Sequence, residues 1–536
     1  MSLSRFNVLP LHPHTLRLVN HPLRMGVVKR QSFKRSIVAY ISVLIGVVSM
    51  LFVYPLALER YGEAQFFISL AGLLAPLLSL GVHTLSVRYY PRFRDAERGD
   101  HGYLGFLLLA VLSAMLVAGL LLWVCGDYLL LGLARLKFDV SLIERSFGLV
   151  VVLTICTIFL NLFSSYSSNA HRVVIPELLW NTGTKVGLPV LILLSYFEVI
   201  DLNGFELGLA SLFVLIVLAM VWYLRSIGLW QLRVDWSRFD GPLLRSMSSY
   251  AFFGMLTVLG STLAFRIDNL MVTSLLDAKR NGVYNIALTM TNTIMIPYTA
   301  IAAIVGPIIA DHWSQRKPAA IADIYQRSAL NLLLIGFFLL ALLYLLLDDL
   351  LQLSVHLAAL QEIKTVVLLL GVAKLIDMTT GINSQIIAYS SYYRFNLYVV
   401  LVLGALTIGL NYWLIPDYGL AGAATASLLS LSLYNLLKYL FIWWQFKMQP
   451  FRWTTAKVLI IGLASSSAVS MLPRTPWTLL NLMLLSVLFS VLFWGPVLYW
   501  RLSPDLSQWL ATHWEKAWRW RRQQQPKGPD HPRDRS

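Results

Sequence analysis

SMSSYAFFGMLTVLGSTLAFRIDNLMVTSLLDAKRNGVYNIALTMTNTIMIPYTAIAAIVGPIIA, residues 246–310, holds two apolar runs joined by a short polar turn. Each run is long enough to cross a bilayer as a helix. The first carries Arg266 and Asp268. A central Arg or Asp costs roughly 2.5–3.5 kcal/mol on insertion scales, so such residues face a bundle interior or a wet cavity rather than lipid. Being two apart on a helix, the two side chains point to different faces and do not cancel each other. One can lock this helix to a neighbour while the other faces a cavity.

Composition extends the reading to the whole chain. Its 536 residues are 57% hydrophobic and only 13% charged, with a mean hydropathy of +0.66. Ordinary soluble cores do not hold that much apolar surface. The expected fold class is an all-α polytopic membrane protein. A net charge of +16 raises the question of nucleic acid. The basic residues, however, lie in short loops and tails between apolar runs and form no amphipathic binding face, so no nucleic-acid partner is expected. Two cysteines, Cys125 and Cys156, make neither a disulfide framework nor a metal site.

About 20 apolar residues are needed to cross a ~30 Å hydrocarbon layer. That filter gives fourteen candidate spans at 36–58, 64–87, 103–124, 147–167, 175–197, 206–224, 247–274, 283–310, 328–347, 363–389, 395–414, 419–442, 455–472 and 477–500. Continuous apolar runs of this length exclude barrel strands of about ten alternating residues. Alternate loops on the side of the N-terminus, together with both tails, hold 31 of the 43 Lys and Arg. Both termini are therefore expected in the cytoplasm, with an even number of spans. The first span is expected to act as an uncleaved signal anchor.

A faint repeat subdivides the chain. Gly62-Glu-Ala-Gln-Phe-Phe-Ile-Ser-Leu with Pro76 matches Gly282-Val-Tyr-Asn-Ile-Ala-Leu-Thr-Met with Pro297. Ser167–Arg172 matches Tyr389–Arg394 in the same way. Both members of each pair fall on one membrane side, so the repeat is parallel. The expected organisation is a basic arm at 1–35, six-helix lobes at 36–224 and 247–442, a terminal helix pair at 455–500 and a cytoplasmic tail at 501–536. In that tail Trp509, Trp514, Trp518 and Trp520 alternate with Lys516, Arg519, Arg521 and Arg522. Such a pattern suits an amphipathic helix on an anionic leaflet.

No GxxxxGK[ST], HExxH or CxxC motif is present, and no Ser/His/Asp arrangement suggests catalysis. The charges within spans are what remains. Counting 1.5 Å per residue puts Lys185 and Lys374 at about mid-depth and Arg266 in the outer third of its span. Lys374 and Asp377, three apart, either neutralise each other locally or line a cavity. For Lys185, packing between helices and contact with a substrate are both open. Arg88 and Lys438 sit near inner ends, where long side chains can snorkel to the interface. His83, Asn292 and Asn383 are weaker candidates. Prolines 76, 189, 297 and 307 mark places where helices can bend.

Three stretches carry a family resemblance. They are Arg266-x-Asp268 followed by Gly282-Val-Tyr-Asn and Pro297, then Gly381-Ile-Asn-Ser-Gln-Ile-Ile-Ala-Tyr-Ser-Ser-Tyr-Tyr-Arg394, and Ile415-Pro-Asp-Tyr-Gly-Leu-Ala-Gly-Ala-Ala-Thr-Ala426. From about Met25 to Trp500 the chain resembles the polysaccharide flippases of the multidrug/oligosaccharidyl-lipid/polysaccharide exporter superfamily. The resemblance implies that translation starts at Met25, since Met25-Gly-Val-Val-Lys-Arg-Gln is similar to how members begin. It also implies lobes that rock between inward- and outward-open states in a bacterial inner membrane. The expected substrate is an undecaprenyl-pyrophosphate-linked oligosaccharide for O-antigen (lipopolysaccharide), capsule or exopolysaccharide, with polysaccharide polymerase and glycosyltransferases as partners. Cations aimed into a cavity would offset the cost of carrying the pyrophosphate through a low-dielectric region. Arg266, Lys374, Lys185 and Arg88 are the expected substrate-binding residues, placed at several depths so as to hand the anion outward. Asp268 and Asp377 are the expected coupling or ion-pair residues, titrating or binding Na⁺. No cofactor is expected beyond coupling H⁺ or Na⁺. A cation-coupled small-molecule exporter is the alternative of the same architecture. A membrane glycosyltransferase or polymerase would need catalytic residues on an external loop, which the sequence does not offer. A scramblase or assembly scaffold is the third alternative.

Overall fold

A computed structural model describes residues 44–94, 100–135, 140–169, 174–354, 360, 362–506 and 508. The basic arm at 1–35 with Met25, the loop around Arg172 and the aromatic tail beyond 508 lie outside the described residues. The described residues are helical, with no strand among them.

After a distorted first span, the main helices are α1 (Leu58–Leu78), α2 (Tyr103–Arg135), α3 (Phe147–Ser168), α4 (Gly183–Tyr196), α5 (Leu202–Ser226), α6 (Gly241–Leu275), α7 (Ala278–Ile294), α8 (Ile296–Ser314), α9 (Pro318–Gln352), α10 (Ile363–Thr379), α11 (Asn383–Ala388), α12 (Arg394–Phe446), α13 (Trp453–Ser470) and α14 (Thr478–Tyr499). Each of the fourteen candidate spans carries helix. By length and apolarity alone, nine helices among the described residues qualify as spans, or ten if the bent pair α7 and α8 is taken as one. The lower number has local causes. Leu44–Leu78 runs through a non-helical Ala57 (φ −142°, ψ 66°) and so joins the first two spans. α12 contains Gly419 at φ 58°, ψ −135°, a conformation open to glycine, and turns there into a second leg. α10 is only 17 residues long because the chain breaks at Gly381, whose φ is +67°.

Sequence dictates the helix ends. Asp201, Asp240 and Asp277 cap α5, α6 and α7 by accepting from Gly204, Leu243 and Arg280 N–H groups at 2.8, 2.8 and 2.7 Å. The polar turn of the 246–310 stretch is thus a capped helix start. Pro297 stands in the first turn of α8, where α7 and α8 bend by 44°.

Polar contacts between distant loops join ends assigned to the same side. Tyr89 meets Ser246 at 2.8 Å, Arg327 meets Asp505 at 3.5 Å, and Arg452 Nε donates to Gln326 at 2.5 Å, all on the face that carries the basic loops. On the opposite face Arg145 meets Glu63 at 2.9 Å, while Ser146 donates to Glu206 at 2.7 Å. An odd helix inserted between any two of these would separate them by the bilayer.

The main core is built from α1, α3, α5, α6, α7, α10 and α12, including Phe66, Phe67, Leu153, Leu209, Val272, Tyr284 and Val367. α13 and α14 pack separately on α9 through Phe337, Phe489 and Phe493. Their loop is fastened by Arg474, which lies 3.1 Å from Asp348 and 3.4 Å from Asp349. Asp349 is 0% exposed, and its other oxygen accepts from Asn481 at 3.1 Å. Arg474→Met should therefore lower stability by about 3 kcal/mol, because it leaves a buried carboxylate without its cation. Thermal unfolding in detergent measures this, and unchanged melting would remove the clasp from the account.

Candidate functional site

The two charges of α6 part company as their spacing requires. Asp268 is 7% exposed and turns toward α7 and α12. Its Oδ2 accepts from the Tyr284 hydroxyl at 2.9 Å and from the Ser427 hydroxyl, and its Oδ1 from Asn411 Nδ2 at 2.6 Å. Three donors from two helices satisfy this carboxylate, which ties α6 to both legs of α12 and to α7.

Arg266 leaves the other side of α6 and lies along α1. A Cβ added to Gly72 would sit 3.2 Å from Arg266 Nη1 and 3.5 Å from its Cδ. The glycine makes room for the guanidinium stem. Arg266 is half-buried and makes no hydrogen bond or ion pair with any described residue.

Lys374 of α10 is the neighbour of α6 at this level, with its Nζ 6.0 Å from the Phe265 ring centroid. It lies within the electrostatic field of both Asp377 and Asp268. No salt bridge closes between Lys374 and Asp377, and Lys374 has no hydrogen bond to a described residue. Measured from the ends at Leu275 and Ile363, Arg266 lies about 14 Å and Lys374 about 17 Å along its helix. Along Gly241–Leu275, Arg266 stands in the outer third of α6, where its span places it.

Lys185 of α4 is the third half-buried cation. Its Cδ, Cε and Nζ lie 3.9–4.0 Å from where a Cβ on Gly46 would be. It too lacks a hydrogen bond or ion pair with any described residue. Arg88 is different: it is exposed at the basic-loop end, with its guanidinium 4.7 Å from the centre of the Tyr250 ring.

Lys438 corrects the sequence reading. The snorkelling expected of it does not occur, because it is 1% exposed. Its Nζ donates to Ser384 Oγ at 2.7 Å and to the Tyr434 hydroxyl, and it lies in the field of Asp377. α12 continues eight residues past it, to Phe446, so Lys438 stands about 12 Å inside the helix end. The helix break at Gly381 brings Ser384 to it. Asn383 is likewise structural: it is 1% exposed and donates to Asn435 and Thr380 at 3.2 Å each. A signal for Lys438 was present in Tyr434, one turn before it, whose hydroxyl can reach an i+4 ammonium.

Arg266 thus faces α1, Lys374 stands over Phe265 of α6, Lys185 is on the first half of the chain, and the field of Asp377 reaches both Lys374 and Lys438.

No family model matches the sequence, and no curated protein matches it. Among solved structures, the lipid II flippase MurJ in an inward closed conformation is similar over 86% of this chain and 99% of its own, with 12% identity and a TM-score of 0.64. A MATE structure in complex with MaL6 aligns over 79% of this chain and 93% of its own, with 14% identity and a TM-score of 0.42. At such identity the first likeness speaks for the fold: the chain is an all-helical, multi-pass membrane protein with the architecture of that flippase structure.

Proposed function

We propose that this protein is a flippase that carries undecaprenyl-pyrophosphate-linked oligosaccharide from the cytoplasmic to the outer leaflet of a bacterial inner membrane by alternating access. The observation that carries the reading is the set of half-buried cations Arg266, Lys374 and Lys185, none of which makes a hydrogen bond or salt bridge with a described residue. Charge at this depth is costly unless it is paired or wetted. Cations that close no salt bridge with a described residue suit a visiting anion, and a pyrophosphate offers several oxygens to a guanidinium and ammonium groups. A small-molecule exporter coupled to a cation would place its acidic groups where an ion can reach them, whereas Asp268 is enclosed by three donors. Asp377, between two lysines, is the better candidate for coupling to H⁺ or Na⁺. Arg88, exposed on the basic-loop face, suits first capture of the headgroup. The fold likeness to a lipid II flippase agrees with a lipid-linked substrate.

Vesicles reconstituted with the protein and undecaprenyl-pyrophosphate-linked oligosaccharide test this. Arg266→Ala and Lys374→Ala should each slow translocation by about tenfold or more, the loss of one charge-assisted hydrogen bond in the rate-limiting state. Arg266→Lys should retain more activity than Arg266→Ala. Wild-type rates in both alanine variants would overturn the reading.

A further inference from the structure

The span that carries Lys185 is not a regular helix. Leu178–Thr182 forms a π-helical turn between the short helix Val174–Glu177 and α4. Such turns are uncommon and cluster at functional sites, because the extra residue re-aims the side chains of one turn. Here Thr184 Oγ1 donates to the Trp180 carbonyl at 2.9 Å and supports the widened turn. Facing it is a cavity of about 310 Å³ lined by Asn161, Ser164, Pro176, Glu177, Trp180 and Asn181.

The lining has an unusual balance for a site inside a membrane protein. The side-chain amides of Asn161 and Asn181, the Ser164 hydroxyl and the Trp180 indole N–H make no hydrogen bond with any described residue. Trp180 is held from behind against the main core. An aromatic plane flanked by amides, a hydroxyl and a carboxylate matches a pyranose ring, whose C–H face packs on an indole while its hydroxyls need both donors and acceptors. The volume is at the small end of the roughly 300–1,000 Å³ of small-molecule sites, which fits one sugar better than a whole oligosaccharide.

Position adds the second half of the argument. Asn181 and Lys185 are four residues apart and share a helix face, with Lys185 one turn deeper, about 6 Å. Lys185 itself is turned toward the first span, with its Nζ 4.0 Å from where a Cβ on Gly46 would be, so a sugar in the cavity sits one turn nearer the basic-loop end than the ammonium. The covalent order of a glycosylated lipid pyrophosphate, sugar next to phosphate, follows the same order.

We propose that this cavity is a sugar-recognition subsite for the glycan residue nearest the pyrophosphate, with Trp180 as its stacking platform and Asn161, Ser164, Glu177 and Asn181 as its hydrogen-bonding rim. This rests on the flippase reading above and gives that reading a means of telling glycosylated from bare carrier lipid.

The experiment compares binding of undecaprenyl pyrophosphate with and without its oligosaccharide to the full-length protein in nanodiscs. Trp180→Ala should weaken the glycosylated lipid by about tenfold, as expected for an aromatic anchor, and leave the bare lipid within twofold of wild type. Trp180→Phe should keep most of the preference. Asn181→Ala, at an exposed position, serves as a second variant if Trp180→Ala lowers the melting temperature; it should weaken only the glycosylated lipid. Equal losses for both lipids, or no loss for either, overturn the subsite and leave the flippase reading standing. A wild-type protein that binds neither lipid overturns both.

Discussion

Asp268→Ala should be the most destabilising single substitution in the α6 layer, at about 3–5 kcal/mol. The carboxylate is the common acceptor for Tyr284, Ser427 and Asn411. Removing it strands buried donors at about 1–3 kcal/mol each. Tyr284 and Ser427, whose hydroxyl oxygens are already 3.3 Å apart, can recover one hydrogen bond between them, which keeps the total below the full sum. Asp268→Asn keeps one acceptor oxygen and the side-chain volume, and the two hydroxyls can turn to accept from its amide. Its expected cost is about 1–2 kcal/mol. Thermal unfolding in detergent should rank wild type above Asp268→Asn and Asp268→Ala last. The same pair separates a lock from a coupling group. A coupling carboxylate would lose transport in Asp268→Asn with melting unchanged, whereas a lock loses stability first. Equal melting of Asp268→Ala and wild type would mean that the three contacts do not hold the helices together.

Much of this was legible because a bilayer leaves the chain few choices. Backbone polar groups must be satisfied within a segment, so apolar runs of sufficient length become helices, and each of the fourteen runs did. The divergence of Arg266 from Asp268 followed from two residues of helical rotation alone. Three kinds of feature were not legible. Helix breaks at Ala57 and Leu178–Thr182 depend on tertiary packing as well as on Pro55 and Pro176, so the runs looked continuous. The spacing of Lys374 and Asp377 permits a salt bridge but does not require one, and the structure leaves Lys374 without it. Lys438 looked like an end residue because its distance to the interface was judged from the apolar run, while α12 extends beyond that run and α11 supplies Ser384.

The repeat read from Gly62 and Gly282 has a physical counterpart that a motif comparison does not provide: the two glycines face each other's helix starts. A Cβ on Gly62 would lie 1.7 Å from the carbonyl oxygen of Ala278 and 2.8 Å from the Gly282 nitrogen. A Cβ on Gly282 would lie 2.3 Å from the carbonyl oxygen of Leu58. In each case the obstacle is backbone four residues before the other glycine, so no side-chain rotation relieves it. Asn281 Nδ2 adds a hydrogen bond to the Gly62 carbonyl at 2.9 Å. This seam closes the halves of the chain on the face opposite the basic loops. If alternating access operates here, the seam must part in every cycle and re-form to reset, so the state in which it is closed depends on backbone contact at these two positions. Gly62→Ala and Gly282→Ala should force α1 and α7 apart and disfavour the closed seam by about 1–3 kcal/mol, the usual cost of overpacking. Spin labels at Glu59→Cys and Lys279→Cys, both lining the cavity beside the seam, should report longer distances in the glycine variants, and translocation should fall by about tenfold, the equivalent of about 1.4 kcal/mol. Gly409→Ala is the control: nothing lies within 4 Å of its added Cβ, and alanine in an exposed helix stabilises by up to about 1 kcal/mol. Unchanged label distances with wild-type translocation in Gly62→Ala would mean that the seam is a permanent hinge, and the parting of the halves would then have to be sought elsewhere along α1 and α6.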